Sequence, residues 1–279
     1  MIEINVNEKG AELTSIKFNG IEMMHDGKEF WNRHSPVLFP IVGKLKNGKT
    51  LIDGIEYAIE QHGFARDMNF EKIEKNSYVL KSNNETLKKF PFKFELYISY
   101  EIIDNEVKCK YKVINKDKKL MRFGLGGHPA FRCDYSTGEY SLKFEEEEDQ
   151  IEFYNLKNGL VNESKINFEK YLDNNKIILD KNIFNNDAII IKKLKSNKVY
   201  LQSKNETILE FTFKEFPYLG IWSKPNAKFI CIEPWFNTAD TINSNCIFEE
   251  KEDLIVLEPN DKFEAEWSVK FCVKKSDIF

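Results

Sequence analysis

Apolar and polar residues alternate with a period of two along much of this chain. Phe92, Phe94, Leu96, Ile98 and Tyr100 fall on one side, and Lys93, Glu95, Tyr97 and Ser99 on the other. After the turn signal Asp104 and Asn105 the pattern resumes with Val107, Cys109, Tyr111 and Val113 between mostly charged neighbours. Successive strand side chains point to opposite faces, so two such runs joined by a short polar turn predict a β-hairpin. Further on, Phe263, Ala265, Trp267, Val269, Phe271 and Val273 alternate with Glu264, Glu266, Ser268, Lys270 and Cys272. That spacing predicts a long strand with one wet face.

Shorter runs predict strands at Glu3–Val6, Glu12–Phe18, Tyr57–Glu60, Phe70–Ile73, Tyr78–Lys81, Leu120–Leu125 and Tyr140–Phe144. Others fall at Ile151–Phe153, Ala188–Lys192, Val199–Ser203, Leu209–Phe213, Tyr218–Trp222, Phe229–Ile232 and Leu254–Leu257. Only Glu85–Phe90 and Asn167–Leu172 read as short helical segments, and the acidic run Glu145–Asp149 reads as a solvated strand end or turn. No linker, low-complexity tract or repeat interrupts the strands, so residues 1–279 read as a single domain. Antiparallel strands in such number cover their apolar faces by stacking two sheets. The expected fold is all-β, a large two-layer antiparallel β-sandwich.

Composition narrows the partners. The 23 Phe favour half-buried pleated strands over helices. Charges stand at 41 basic against 45 acidic with no basic stretch, so the footprint of a nucleic-acid binder is missing. Cys109, Cys133, Cys231, Cys246 and Cys272 are dispersed, odd in number and free of a CxxC, which suits neither a disulfide framework nor a zinc site. The opening MIEINVNEKG has no signal-peptide pattern, and no apolar run approaches the ~18 residues of a membrane span. A cytoplasmic protein without membrane partner, metal or cofactor is expected.

Four stretches break the alternation, as functional sites often do. In His34 to Lys44 two Pro and a Gly interrupt an apolar run, which predicts an edge segment or a loop crossing the sheet. In Gln61 to Asp67 a His beside a Gly precedes Arg66 between two strands. In Gly124 to Phe131 three Gly surround Leu125 and precede His128 and Pro129. Gly permits close backbone approach there, and Pro129 restricts His128 to an extended conformation, a rigid mount for a proton donor or acceptor. In Tyr218 to Asp240, Glu233 follows the apolar Ile230-Cys231-Ile232 and precedes Pro234-Trp235-Phe236. A carboxylate there is partly desolvated, which raises its pKa toward what a general base requires. Each stretch also has a plain structural reading: a buried connection, a core His, a hydrogen-bonded His, a Glu paired with a buried cation. Trp31, Trp222 and Trp235 suit either core packing or stacking on a sugar face.

Taken together and in order, "SPVLFPIVGKLKNG", "QHGFARD", "FGLGGHPAF" and "YLGIWSKPNAKFICIEPWFNTAD" resemble the aldose 1-epimerases (galactose mutarotases), in particular the LacX-like subgroup. The resemblance covers nearly the whole chain. It implies a galactose mutarotase-like supersandwich with a sugar site in a concave cleft, and an isomerase that interconverts the α and β anomers of a free or phosphorylated hexose without metal or cofactor. By position His128 is similar to the family's general acid, Glu233 to its general base, and His62 to the second His near the ring oxygen. Lys44 stands where related mutarotases carry an Arg that binds sugar hydroxyls, and Arg66 is a second candidate for that contact. Lys lacks the planar fork of Arg. Trp222 is the candidate platform for the apolar sugar face. The family Asp that fixes galactose hydroxyls has no counterpart visible in the pattern.

Three further readings stay open at this point, one of them a glycoside hydrolase or lyase, although a hydrolase needs two carboxylates flanking the bond and the pattern nominates only Glu233. Lys44, Lys46 and Arg66 at the cleft mouth would suit a phosphorylated hexose. A non-catalytic sugar-binding or sensing protein would use the same fold without chemistry. The partner in every case is a small sugar, with the chain as a monomer or homodimer.

Overall fold

The protein is described here by a computed structural model covering residues 1–149, 151–162, 164, 172–204 and 206–272. Among these residues the regular elements are strands and single 3-10 turns. The expected hairpin is present as Phe94–Ile103 and Glu106–Asn115, paired antiparallel with Ile103 opposite Glu106. The strand pattern reproduces Glu12–Phe18, Tyr140–Phe144 and Tyr218–Trp222 to the residue. The long C-terminal strand runs Lys262–Phe271; Val273 lies outside the described residues.

The helical expectation at Glu85–Phe90 reduces to one 3-10 turn, Thr86–Lys88. Pro91 follows at once, and a residue before Pro is pushed out of the helical region, while Phe90 is drawn fully into the core. Of the other helical expectation, residues 167–171 lie outside the described residues and Leu172 opens a short strand, Leu172–Asp173.

Two sheets carry the fold. A ten-stranded antiparallel sheet holds Phe94–Ile103, Glu106–Asn115, Lys262–Phe271, Glu206–Thr212, Lys198–Ser203 and Tyr140–Phe144 as its central strands. An eight-stranded sheet runs from Leu160–Val161 through Glu152–Lys157, Ile189–Lys192, Tyr218–Trp222, Phe229–Trp235 and Gly126–Gly127 to Val37–Leu38, with Ala130–Arg132 also paired to Phe229–Trp235. The segment His34 to Lys44 thus supplies an edge strand, as its prolines require. One continuous apolar cluster joins the inner faces of both sheets, with Phe131 and Phe211 in edge contact across the layers.

The second face of the eight-stranded sheet positions the site. Strand Phe229–Trp235 is buried along its whole length. Ile230 and Ile232 enter the inter-sheet core, so period two sends Cys231, Glu233 and Trp235 the other way. On the neighbouring strand Leu219 and Ile221 enter the core, which leaves Tyr218, Gly220 and Trp222 beside them, with Gly220 paired opposite Glu233. A Cβ on Gly220 would stand 2.5 Å from the Trp235 ring, and one on Gly126 2.8 Å from the same indole. The missing side chains let Trp235 lie flat across the sheet next to Glu233.

Candidate active site

A cavity of about 330 Å³ opens on that face. His62, Arg66, His128, Trp222 and Glu233 all line it, so five of the six site residues expected from sequence converge. Lys44 does not: it is exposed, its stem packs near Gly159 on the rim, and its ammonium donates to the Asn158 carbonyl at 3.3 Å. Lys46 turns away as well, donating to the Ser244 carbonyl at 2.9 Å. A larger hollow of about 480 Å³ on the ten-stranded sheet is lined by Tyr97, Lys112, Glu264 and Glu266 among others and holds no His. Glu266 pairs there with Lys108, Lys110 with Glu101, and Lys112 lies over the Tyr97 ring, all ordinary surface contacts.

His128 is mounted between the short strands Gly126–Gly127 and Ala130–Arg132, both paired to Phe229–Trp235. Its Nε2 lies 3.1 Å from Glu233 Oε2, although the contact misses hydrogen-bond alignment. Both side chains are almost fully buried. The distance would suit an ion pair, but the surroundings disfavour both charges. Burial pushes the His128 imidazole down to about 3, and Arg66 adds to the effect. Burial pushes the Glu233 carboxyl well above the usual range; the nearby Trp235 indole N–H offsets part of this, and Asp187 adds to it. The free site therefore favours a neutral pair, with protonated Glu233 beside neutral His128.

His62 is held by a reciprocal contact with Gly43. Its backbone N–H donates to the Gly43 carbonyl at 2.7 Å, and the Gly43 N–H donates to His62 Nδ1 at 3.1 Å. A backbone N–H can only donate, so Nδ1 is the acceptor and the neutral ring carries its proton on Nε2. Burial, then His128 and Arg66, hold this His well below its ordinary pKa. His62 is thus a fixed donor, its ring edge-on to His128 at 5.5 Å.

The pattern missed Arg33 and Asp187, and both line the cavity. Arg33 donates to Asp67 at 2.9 Å, and Arg66 donates to the Gln61 carbonyl at 2.6 Å. Burial and the neighbouring Arg33 lower Arg66 to about 10. Arg33 was traceable only as part of a segment without alternation, and Asp187 only as the end of a polar turn before a strand. Asp187 sits at φ 72° and binds its following N–H, which holds its carboxylate against the cavity. Four buried polar atoms on lining residues lack a hydrogen-bond partner among the described residues: His128 Nδ1, Glu233 Oε2, Arg66 Nε and Trp235 Nε1. Buried polar atoms are normally satisfied, and each such orphan costs about 1–3 kcal/mol. Their convergence marks a place for a polar ligand.

The family model for aldose 1-epimerase matches residues 2–270. The chain belongs to the aldose 1-epimerase family. Membership places it among carbohydrate epimerases, with a sugar as substrate. It is 32% identical, over 93% of each chain, to the plasmid-encoded protein LacX of Lactococcus lactis subsp. lactis. A solved galactose mutarotase related enzyme from Lactobacillus acidophilus superposes with a TM-score of 0.89 at 32% identity, covering 98% of this chain and 95% of that one. A galactose mutarotase-like protein from Lactobacillus casei superposes with a TM-score of 0.88 at 29% identity, covering 97% of both. The family and these neighbours bear out the antiparallel sandwich and the LacX-like resemblance. Among the described residues no helix is long and apolar enough to cross a membrane.

Proposed function

We propose that this chain interconverts the α and β anomers of an aldohexose, with Glu233 and His128 as the acid–base pair. The observation that supports this is the contact of the two groups at 3.1 Å in a cavity of about 330 Å³ that also carries His62, Arg66 and Asp187. Mutarotation requires two proton transfers. Glu233 takes the proton of the C1 hydroxyl while His128 gives one to the ring oxygen; the C1–O5 bond breaks and C1 becomes an aldehyde. The C1–C2 bond rotates. His128 then recovers its proton from the C5 hydroxyl as O5 attacks the other face of C1, and Glu233 returns its proton to the C1 oxygen. No proton is gained or lost over the cycle.

After ring opening Glu233 is protonated and His128 neutral. That is the protonation state which burial favours in the free site. Ring opening starts from the other form, so the proton has to cross the 3.1 Å contact from Glu233 to His128 once the sugar is bound. Arg66 and Asp187 are available for sugar hydroxyls and Trp222 for the apolar sugar face; His62 Nε2–H joins them once the Gln61 amide, 3.3 Å from it, gives way. Lys44 reaches a substrate only if that substrate extends past the Gly159 rim.

A second reading concerns the substrate. Arg33 and Arg66 face each other electrostatically and share the single, half-exposed Asp67, with Lys224 also on the cavity wall. An excess of cations beside the sugar site favours a phosphorylated hexose, with these residues in the place the pattern had given to Lys44 and Lys46.

The test is polarimetry of freshly dissolved α-glucose, α-galactose and their 6-phosphates. Faster decay with protein supports epimerase activity, and a preference for the phosphate supports the second reading. Sugar binding without any change of exchange rate would establish the non-catalytic alternative.

A further inference from the structure

His128 has strand-bound neighbours on most sides, but one face of its ring is covered from outside the sheet. Residues 26–34 form a loop between His25 and Ser35. Its Trp31 indole stacks on the His128 imidazole with centroids 4.8 Å apart and planes 29° from parallel. Trp222 meets the same imidazole edge-on at 5.7 Å, and Trp31 itself rests on Trp222 at 5.6 Å and Phe229 at 5.8 Å. Trp31 is half-buried and lines the cavity, whereas the adjacent Phe30 is 48% exposed.

The loop is tied to the same backbone that carries His128. The Ala130 carbonyl accepts the His25 N–H at 3.0 Å, and the Ala130 N–H donates to the His34 carbonyl at 2.8 Å. Both ends of the loop are therefore fixed to one residue, two positions past the imidazole. The Trp31 carbonyl accepts from His25 Nε2 at 2.8 Å, and the Glu12 carboxylate accepts the N–H groups of His34 at 2.6 Å and Ser35 at 3.0 Å. The His25–Ala130 bond also belongs to the bridge that seats Met24 beside Phe131 in the inter-sheet core, while the bonds from His34, Ser35 and His25 Nε2 set where the loop and its indole sit relative to His128.

We propose that Trp31 is a positioning residue for His128: the loop lays a flat apolar ring on the imidazole, holding its plane toward Glu233 and keeping water from that face. The inference rests on the reading of His128 as the acid in the reaction, but its physical content does not. An imidazole covered by an indole loses hydration, and the loss disfavours its charged form. The charged or titratable groups that face it are Glu233 and Cys231 from strand Phe229–Trp235, His62 from the segment before the 3-10 turn Ala65–Asp67, Arg66 from that turn, and Arg33 from the loop itself. Trp31 changes the solvent around the ring without adding a charge to this set.

The experiment compares Trp31→Phe, Trp31→Leu and Trp31→Ala in the full chain, with folding checked by thermal melting. The His128 Cε1–H resonance is titrated by NMR; the chain has four His, so assignment is tractable. In the Ala variant the His128 titration should move up toward its unperturbed value of about 6.5, and kcat should fall roughly tenfold or more with a smaller change in KM. Phe, which keeps a flat ring, should restore both readouts; Leu, which is apolar but not flat, should restore neither fully. If Ala fails to fold, the contrast between Phe and Leu decides. An unmoved His128 titration in a folded Ala variant, or in Leu where Ala does not fold, overturns the proposal; a rise confined to KM would leave Trp31 as a sugar platform only. The NMR arm needs no turnover, so it stands even if the chain proves not to be an epimerase.

Discussion

His128 Nε2 and Glu233 Oε2 stand 3.1 Å apart because the short strands on either side of His128 pair directly with the strand that carries Glu233. The backbones that carry the two groups cannot separate without breaking sheet hydrogen bonds. If they act as an acid–base pair, His128→Asn and Glu233→Gln should each slow anomer exchange by roughly 10²–10⁴-fold. The melting temperature of Glu233→Gln, which is close to isosteric, should stay near or above that of the parent, while His128→Asn gives up the ring contacts with Trp31 and Trp222 and should melt somewhat lower at neutral pH. Full activity in either variant, measured by polarimetry, would reject the assignment.

The same pair makes stability depend on pH in a definite direction. The Glu233 carboxyl lies well above its ordinary 4.5 in the folded chain. Its contribution is therefore fully present below about 4.5 and drains away as pH rises toward the raised value. Gln does not titrate, so the melting temperature of Glu233→Gln minus that of the parent should grow steadily from pH 4.5 to 8. A difference independent of pH would show that the carboxyl is not destabilised by burial.

His128 gives the mirror image on the acid side. Its folded value of about 3 is below its ordinary 6.5, so the contribution is complete above 6.5 and is lost as pH falls through 3. His128→Asn should lose less stability than the parent between pH 6.5 and 3 when both are followed by thermal melts.

Trp235 lies across Gly220, and the closeness of that contact can be tested directly. Gly220→Ala places a Cβ 2.5 Å from the indole, an overpacking that typically costs about 1–3 kcal/mol. The displaced ring borders Glu233, so activity should fall further than the loss of stability alone explains. Unchanged kcat/KM with an unchanged melting temperature would mean that the indole moves freely.

Glu12 never reaches the cavity, yet it holds the far end of the loop that carries Trp31 and Arg33. Burial works against its charge, but hydrogen bonds from His34 and Ser35 outweigh that and keep it below the ordinary carboxylate range. Glu12→Ala leaves two backbone N–H groups without that acceptor, a loss of about 1–3 kcal/mol. Limited proteolysis should then cut within residues 26–34 faster than in the parent, while Glu12→Gln should show a smaller increase.

Much of this molecule is written locally. Alternation along Phe94–Asn115 and Tyr218–Trp222 specifies strands and their faces because the side-chain period of a strand is two whatever it pairs with. The breaks in that alternation, with their His, Gly and Glu, located His62, Arg66, His128, Trp222 and Glu233, and the order of the motifs pointed to the family. Other features depend on neighbours distant in the chain. Lys44 was assigned to the site by position, but it is exposed on the rim beside Gly159. Arg33 and Asp187 enter the cavity from loops with no periodicity to reveal them. The apolar neighbours of Glu233 already signal its desolvation, but the lowered value of His128 and the indole stacked on the imidazole follow from tertiary structure alone. Burial in a low-dielectric cavity comes from segments far apart in sequence closing over one sheet face, and no local run of residues encodes that proximity.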